Sequence, residues 1–301
     1  MGRAREGALG TTLRTSARLA LVVRLASGGF GDEVAVEALL AREAPDRGAA
    51  DETRGDRRPG TARRPEPTFA QRLAAEAVGT FVLTLVAAGA DVLDGVTAGG
   101  IGHTARYLAP GLVVAALIFT LSGVSGAHIN PAVTLAFLAR RVLPLRDACA
   151  YWLVQLAGGI GAGLTLRAIF GERAHYGATR MSLALPAVDG LAIEAIFTAI
   201  LVLVILGTSE QKAVVGKNAA IAVGFTIAAL GLCASPISGA SMNPARWLGP
   251  SIATLSFTDW WLYLAGPVAG ALAACALVQL IYGSPAGGEQ EAAKGTTAAS
   301  G

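Results

Sequence analysis

The chain contains the stretch SGAHINPAV at Ser125–Val133 and a near copy, SGASMNPAR, at Ser238–Arg246, 113 residues further on. In both copies an Asn-Pro pair opens a short apolar piece. Asn is a favoured N-cap and Pro is favoured at the first helical position, so each pair predicts a helix start. A helix of ten residues is about 15 Å long, half the hydrocarbon thickness of a bilayer. We therefore predict two re-entrant half-helices, Pro131–Ala139 and Pro244–Thr254.

Six long apolar segments surround these two pieces and predict an all-α membrane protein. Each is close to the roughly 20 residues that a helix needs to cross a bilayer. A second repeated motif, EAVGT at Glu76–Thr80 and EAIFT at Glu194–Thr198, opens the first and fourth spans. Each half thus holds three spans and one half-helix, which predicts an inverted 3+3 repeat because three is odd. The spans run over about 72–93, 107–123, 148–169, 190–208, 218–235 and 260–282.

The composition divides the chain into a polar tail and a membrane domain. Hydrophobic residues make up 53% of the chain and charged residues 15%, against about 25% charged in a typical soluble domain. Residues 1–72 hold 13 Lys or Arg and 10 Asp or Glu, whereas residues 73–283 hold only 10 and 9. We predict a disordered cytoplasmic N-terminal extension over 1–70, a membrane domain over 71–283 and a disordered C-terminal tail over 284–301. The repeats of the membrane domain are about 72–170 and 190–283.

Positive charges between the spans predict the orientation. With the N-terminus inside, the cytoplasmic connections carry Arg140, Arg141, Arg146, Lys212 and Lys217, and five more arginines precede the first span. The outer loops then carry four arginines. Because Lys and Arg favour the cytoplasmic side, both termini are predicted to be cytoplasmic.

The two Asn-Pro-Ala motifs predict a pore that excludes ions. Inverted symmetry brings both half-helix N-termini to the bilayer centre, and each carries about +0.5 elementary charge. If the asparagine oxygens cap the helices, the amide groups remain free to donate to a passing oxygen. Waters oriented in this way cannot relay a proton through the centre. The predicted pore residues are Asn130, Pro131, Ala132, Asn243, Pro244 and Ala245.

The last span contains the pair Gly266-Pro267. Together with the two Asn-Pro-Ala motifs and the repeated Glu-xxx-Thr, this pair makes the chain similar to the aquaporin, or major intrinsic protein, family: the chain resembles that family over about 72–283. The resemblance implies a multi-pass channel in the plasma membrane, a homotetramer with one pore per subunit, and a narrow filter on the outer side. The net charge of only +3 argues against a nucleic-acid partner, and no cofactor is predicted. Counting from the motifs places the filter at Pro110, Gly231, Ala240 and Arg246.

The filter positions depart from those of the family's strict water channels. Such channels usually carry an aromatic residue at the place of Pro110 and a His at the place of Gly231. Glycerol-conducting relatives have Asp after the arginine, where this chain has Trp247. The second motif looks most like the plant nodulin-like branch. We expect a wide filter that passes water and small neutral solutes such as glycerol, urea or metalloid hydroxides, with a strict water channel as the alternative.

The register of the filter leaves two alternatives open. A kink at Pro110 would let Tyr107 or Phe119 line the pore instead. A gap of one residue would replace Gly231 by Leu232.

Three further residues are predicted to support the pore. Glu76 and Glu194 are ionisable groups inside spans, either proton carriers of a coupled transporter or buried acceptors for loop backbone. The second interpretation is favoured because their positions are symmetric. His128 is either a protonation gate or a hydrogen-bonded ring beside the pore. Neither an enzyme nor a metal site is predicted, because nucleophile–base arrangements and ligand clusters are missing from the sequence.

Overall fold

The computed structural model describes residues 65–182, 184–210, 218–285 and 287–295. Regular structure in these ranges is helical throughout, which confirms the predicted all-α fold. The predicted N-terminal extension lies almost wholly outside the described residues, as do Lys212 and Lys217. The helices are α1 (Phe69–Val96), α2 (His103–Ser125), α3 (Pro131–Ala139), α4 (Leu145–Phe170), a 3-10 helix (Gly171–Gly177), α5 (Ala187–Glu210), α6 (Ala219–Ser238), α7 (Pro244–Thr254), α8 (Leu262–Tyr282) and α9 (Gly287–Lys294).

Six of these helices are long and apolar enough to cross a membrane: α1, α2, α4, α5, α6 and α8. They match the six predicted spans. Because the number is even, α1 begins and α8 ends on the same side of the protein, called here the termini face. The other side is called the opposite face.

The two half-helices have the predicted bounds. At 9 and 11 residues, α3 and α7 are about 14 and 16 Å long. Each starts at the proline that follows its asparagine, and the asparagine side chain caps the first turn. Asn130 accepts from the backbone N–H of Ala132 at 2.9 Å, and Asn243 accepts from that of Ala245 at 3.0 Å.

The two halves interlock through these half-helices. Within the halves, α1 packs on α4 and α5 packs on α8, while α2 packs on α6 between the halves. The half-helix of each half also packs on the last span of the other, α7 on α4 and α3 on α8. Gly159 permits the first of these contacts, since a Cβ there would overlap the carbonyl of Ala245 in α7. Both half-helices are therefore held at the interface between the repeats.

The C-terminal segment differs from the predicted disordered tail, because residues Gly287–Lys294 form helix α9. Glu289 of this helix is fully buried and forms an ion pair with Arg140 at 2.8 Å. The two residues lie 149 positions apart in the chain. A local sequence pattern cannot show such a partner, and the polar composition of 284–295 by itself favours a solvated tail.

Candidate pore and selectivity filter

The Glu76 carboxylate organises the loop that precedes α3. One oxygen accepts from the Ser125 hydroxyl at 2.6 Å and from the backbone N–H of His128 at 2.9 Å. The other accepts from the backbone N–H of Ile129 at 2.7 Å and from the Gln155 amide at 2.8 Å. Glu76 itself is fully buried. A carboxylate with this many donors satisfies backbone groups that would otherwise be orphaned within the membrane.

Glu194 does the same for the loop that precedes α7. Its carboxylate accepts from the Ser238 hydroxyl at 2.6 Å and from the backbone N–H groups of Ser241 and Met242 at 2.9 and 2.7 Å. It is also fully buried. Both glutamates therefore hold loop backbone, in the arrangement that the sequence favoured over proton carriers.

Both loops contain alternating residues in the left-handed region of backbone conformation. Ala127 and Ile129 have φ of 51° and 43° before α3, and Ala240 and Met242 have φ of 47° and 49° before α7. None of these is glycine, so each position is strained. The glutamate hydrogen bonds to the neighbouring N–H groups offset this strain and hold the loops in one conformation.

The two asparagines bind across the interface between the halves. The Asn130 amide donates to the carbonyl of Met242 at 2.9 Å, and the Asn243 amide donates to the carbonyl of Ile129 at 2.9 Å. One N–H of each amide is thus used for the opposite loop. Because an amide has two N–H donors, one remains for an oxygen in the lumen. The sequence anticipated free amide groups but not this reciprocal pair of bonds.

A narrow cavity runs from the opposite face to the two asparagines and leaves about 50 Å³ for the centres of water-sized molecules. The four residues counted from the motifs all line it: Pro110, Gly231, Ala240 and Arg246.

The residues of the two alternative registers lie in different places relative to this cavity. Tyr107 lines it one turn before Pro110. Phe119 and Leu232, by contrast, are exposed on the outside of the helices, with 58% and 41% of their surface accessible. Near Gly231 the neighbour is the backbone of Tyr107, since a Cβ on Gly231 would lie 3.1 Å from the Tyr107 carbonyl oxygen.

Sequence reasoning missed a group of charged side chains at the mouth of the cavity. Asp91 lies 3.5 Å from Arg246 and 3.7 Å from Arg106, and all three line the cavity. Arg106 also pairs with Asp94 at 3.1 Å and donates to the Tyr107 hydroxyl at 2.6 Å. The signal that could have revealed Asp91 was a carboxylate within an apolar span, which is costly unless it serves a pathway.

Two rings named in the sequence analysis are packed in the interior. His128 is 2% exposed, stacks on Phe137 and lies 3.1 Å from the Thr134 hydroxyl. Trp247 is 3% exposed and stacks on Tyr263. Trp247 therefore follows Arg246 in sequence but is not among the residues that line the cavity.

The fold and these motifs have known counterparts. The sequence profile of the family described as "Major intrinsic protein" matches residues 64–279. The chain belongs to the major intrinsic protein family.

Relatives within this family cover most of the chain. Aquaporin NIP1-3 of Oryza sativa subsp. japonica is 40% identical over 217 residues, which are 71% of this chain and 74% of the relative. Aquaporin NIP2-3 of Zea mays is 36% identical over 206 residues, 68% of each chain. The X-ray structure of the aquaglyceroporin from Plasmodium falciparum has a TM-score of 0.64 and 22% identity, and covers 71% of this chain and 97% of that one. This structure supports the fold alone.

Proposed function

We propose that the protein is a passive channel that lets water and small uncharged solutes cross a membrane. The observation that carries this proposal is the meeting of two half-helix N-termini, joined by the reciprocal Asn130–Met242 and Asn243–Ile129 hydrogen bonds. Family membership and the aquaporin relatives support the same function. The residues of the two Asn-Pro-Ala motifs are accordingly its central constriction.

Ion exclusion follows from the charges at this constriction. Each half-helix directs about half a positive elementary charge toward the centre. A cation entering the constriction meets both helix ends in a low dielectric and loses its water, whereas a neutral solute meets only hydrogen-bond donors. The second N–H of each asparagine orients a passing water so that its hydrogens point away from the centre.

Pro110, Gly231, Ala240 and Arg246 form the filter in this proposal, and Tyr107 adds to its wall. Small side chains at three of the four places leave room for glycerol, urea or a metalloid hydroxide. Tyr107 narrows one side. If it closes the remaining width, the protein is a strict water channel.

Stopped-flow light scattering on proteoliposomes tests the proposal. Vesicles with protein and protein-free vesicles are mixed with sucrose, glycerol or urea. We expect fast shrinkage in sucrose, followed by fast re-swelling in glycerol or urea. Shrinkage without re-swelling would establish the strict water channel. Fluxes equal to those of protein-free vesicles would contradict the channel function.

A proton-coupled transporter is less well supported. Such a carrier needs a protonatable group that the substrate pathway reaches, and the sequence offered Glu76 and Glu194 for that role. Both carboxylates are fully buried and occupied by loop donors. Solute uptake that saturates and follows an imposed pH gradient would nevertheless favour the carrier.

The setting of the channel is also part of the proposal. We place the termini face at the cytoplasmic side of the plasma membrane, as the distribution of Lys and Arg predicts.

A homotetramer would cover apolar side chains on the outside of the spans, of which Leu112, Leu153 and Phe225 are well exposed. An enzymatic role finds no support in a family of channels. Cross-linking in native membranes and protease access to each terminus test the oligomer and the orientation.

A further inference from the structure

Asp91 and Arg246 leave hydrogen-bonding capacity unused on the wall of the cavity. Their closest atoms, Asp91 Oδ2 and Arg246 Nη2, are 3.5 Å apart, which is an ion pair at the limit of a hydrogen bond. Nη1 of Arg246 is buried and has no hydrogen-bond partner among the described residues. The Arg246 side chain is only 8% exposed and that of Asp91 22%. Both residues line the cavity, so a solute inside it meets the side chains of this loosely paired acid and base.

The second charge beside Asp91, Arg106, is a more distant partner. Arg106 lies 3.7 Å from the carboxylate but is itself bound more closely to Asp94, at 3.1 Å, and to the Tyr107 hydroxyl, at 2.6 Å. Asp94 in turn accepts from the backbone N–H of Gly102 at 2.9 Å. These contacts fix the mouth of the cavity, and Asp91 lines the cavity beside Arg246.

We propose that Asp91 is a specificity-determining residue of the filter and acts with Arg246 as a donor–acceptor pair. This inference rests on the proposed channel function. The guanidinium donates and the carboxylate accepts, so the pair fits a neutral solute that presents both kinds of group side by side. Adjacent hydroxyls of a polyol, the hydroxyls of a metalloid hydroxide, and the N–H and C=O of urea all do so.

The pair acts by replacing the hydrogen bonds that a solute makes to water. A solute that enters a narrow filter loses hydrogen bonds to solvent, and each one left unreplaced raises the barrier. A polyol has several such groups to satisfy at once, whereas a single water has fewer. The charge on Asp91 also balances that of Arg246, so the filter does not attract anions.

The test compares Asp91→Asn with the wild type in proteoliposomes under glycerol, urea and sucrose gradients. We expect the ratio of glycerol to water permeability to fall about tenfold, the effect of losing one charge-assisted hydrogen bond. Asp91→Ser gives the same loss with a smaller side chain and guards against a folding defect of the first variant. Asp189→Asn is the matched control, because Asp189 is exposed and lies outside the cavity lining.

The outcomes separate this inference from the function on which it rests. An unchanged ratio in both variants, with wild-type glycerol flux present, overturns the role of Asp91 and leaves the channel intact. Equal loss of water and glycerol flux also overturns it, since the effect is then not selective. A wild type that conducts water but neither glycerol nor urea overturns the proposed solute class together with the pair.

A second, independent observation concerns helix α9 at the termini face. It packs against α2 and α5, which come from different halves of the repeat. The Ala292 carbonyl lies so close to Gly126 that a Cβ there would overlap it. Gly295 lies equally close to the backbone of Val124 and Ser125. Because Gly126 begins the loop that leads to Asn130, α9 lies against the end of that loop at the termini face.

A buried ion pair holds α9 in this position. Arg140 donates to both carboxylate oxygens of Glu289, at 2.8 and 2.9 Å. It also donates to the Gln279 side chain at 2.7 Å and to the Gly283 carbonyl at 3.1 Å, which ties the end of α8 to the same site. The two side chains are 3% and 0% exposed. The cavity from the opposite face, by contrast, extends as far as Asn130 and Asn243.

We infer that α9 is an autoinhibitory plug held by Arg140, which closes the termini face of the pore while it is docked. The docked and released states are in equilibrium, so the wild type conducts through its released fraction, below the rate of a fully released channel. Removing the charge of Glu289 weakens its two hydrogen bonds from Arg140, and this shifts the equilibrium toward release.

The plug is tested by measuring the water permeability per channel of two variants, Glu289→Gln and Ala293→Glu. The second variant places a charge on the fully buried face of α9. We expect a severalfold rise over the wild type in both, while Lys294→Gln, at an exposed position of the same helix, leaves permeability unchanged. A wild type that conducts as fast as both variants overturns the plug. Variants and wild type that all match protein-free vesicles overturn the channel function as well.

Discussion

The side-chain amide of Asn130 lies 2.9 Å from the carbonyl oxygen of Met242, a residue 112 positions away in the other half of the chain. The symmetry-related hydrogen bond joins the Asn243 amide to the carbonyl of Ile129 at the same distance. Each asparagine therefore caps its own half-helix and also ties its helix to the opposite loop. The centre of the pore is thus a cross-linked unit, and its geometry depends on both halves together.

Replacing Asn243 by Ala should destabilise the protein by about 2 kcal/mol. The variant loses an N-cap and one buried hydrogen bond, each worth about 1 kcal/mol. Asn130→Ala should have the same effect, because the two sites are related by the pseudo-two-fold symmetry of the inverted repeat. Thermal unfolding in detergent measures both. A large loss in one variant and none in the other would contradict the symmetric role.

Replacing Glu76 by Gln should cost about 3 kcal/mol of stability. The neutral amide accepts through one oxygen, so some of the donors from Ser125, His128 and Ile129 lose their partner while they stay buried. Glu172→Gln is the control, since Glu172 is largely exposed beside Arg167. Thermal unfolding and water permeability should fall together in the first variant only. Normal stability with loss of pH-driven uptake would instead identify Glu76 as a proton carrier.

Replacing Gly231 by His should lower glycerol and urea permeability more than water permeability. An imidazole at this place occupies the cavity beside Tyr107, whose carbonyl lies 3.1 Å from the position of a Cβ on Gly231. A solute with several heavy atoms is obstructed before a single water is. Parallel light-scattering measurements in glycerol, urea and sucrose give the ratio. Equal loss of both fluxes, or no loss, would show that Gly231 is outside the filter.

Replacing Gly159 by Ala should destabilise the protein by about 1–3 kcal/mol through overpacking. The added methyl overlaps the backbone carbonyl of Ala245 in α7, which has no freedom to move away. Gly161→Ala is the matched control two residues along α4. There the methyl would lie 3.5 Å from the Phe81 ring, an ordinary contact. Comparable unfolding temperatures for the two variants would contradict the close packing of α4 on α7.

Short-range patterns in the sequence were enough to predict most of the architecture. Apolar runs of bilayer length predict the spans, and an Asn-Pro start followed by too few residues to cross predicts each half-helix. The duplicated motif adds the inverted symmetry. These features are local because a membrane requires every backbone group to be satisfied within a helix or a shielded loop.

Other features depended on tertiary structure, because they join residues that lie far apart in the chain. The pairing of Asp91 with Arg246, the position of Tyr107 beside Gly231 and the bond between Arg140 and Glu289 all belong to this group. The polar composition of residues 284–295 even argued against the bond between Arg140 and Glu289, since a polar tail has no apolar face to bury. Local periodicity and capping, set by the backbone, determined where the helices are. Which side chains meet was decided only when the two halves packed together. A charged group pairs with the opposite charge that lies nearest in space, and the sequence does not show which group that is.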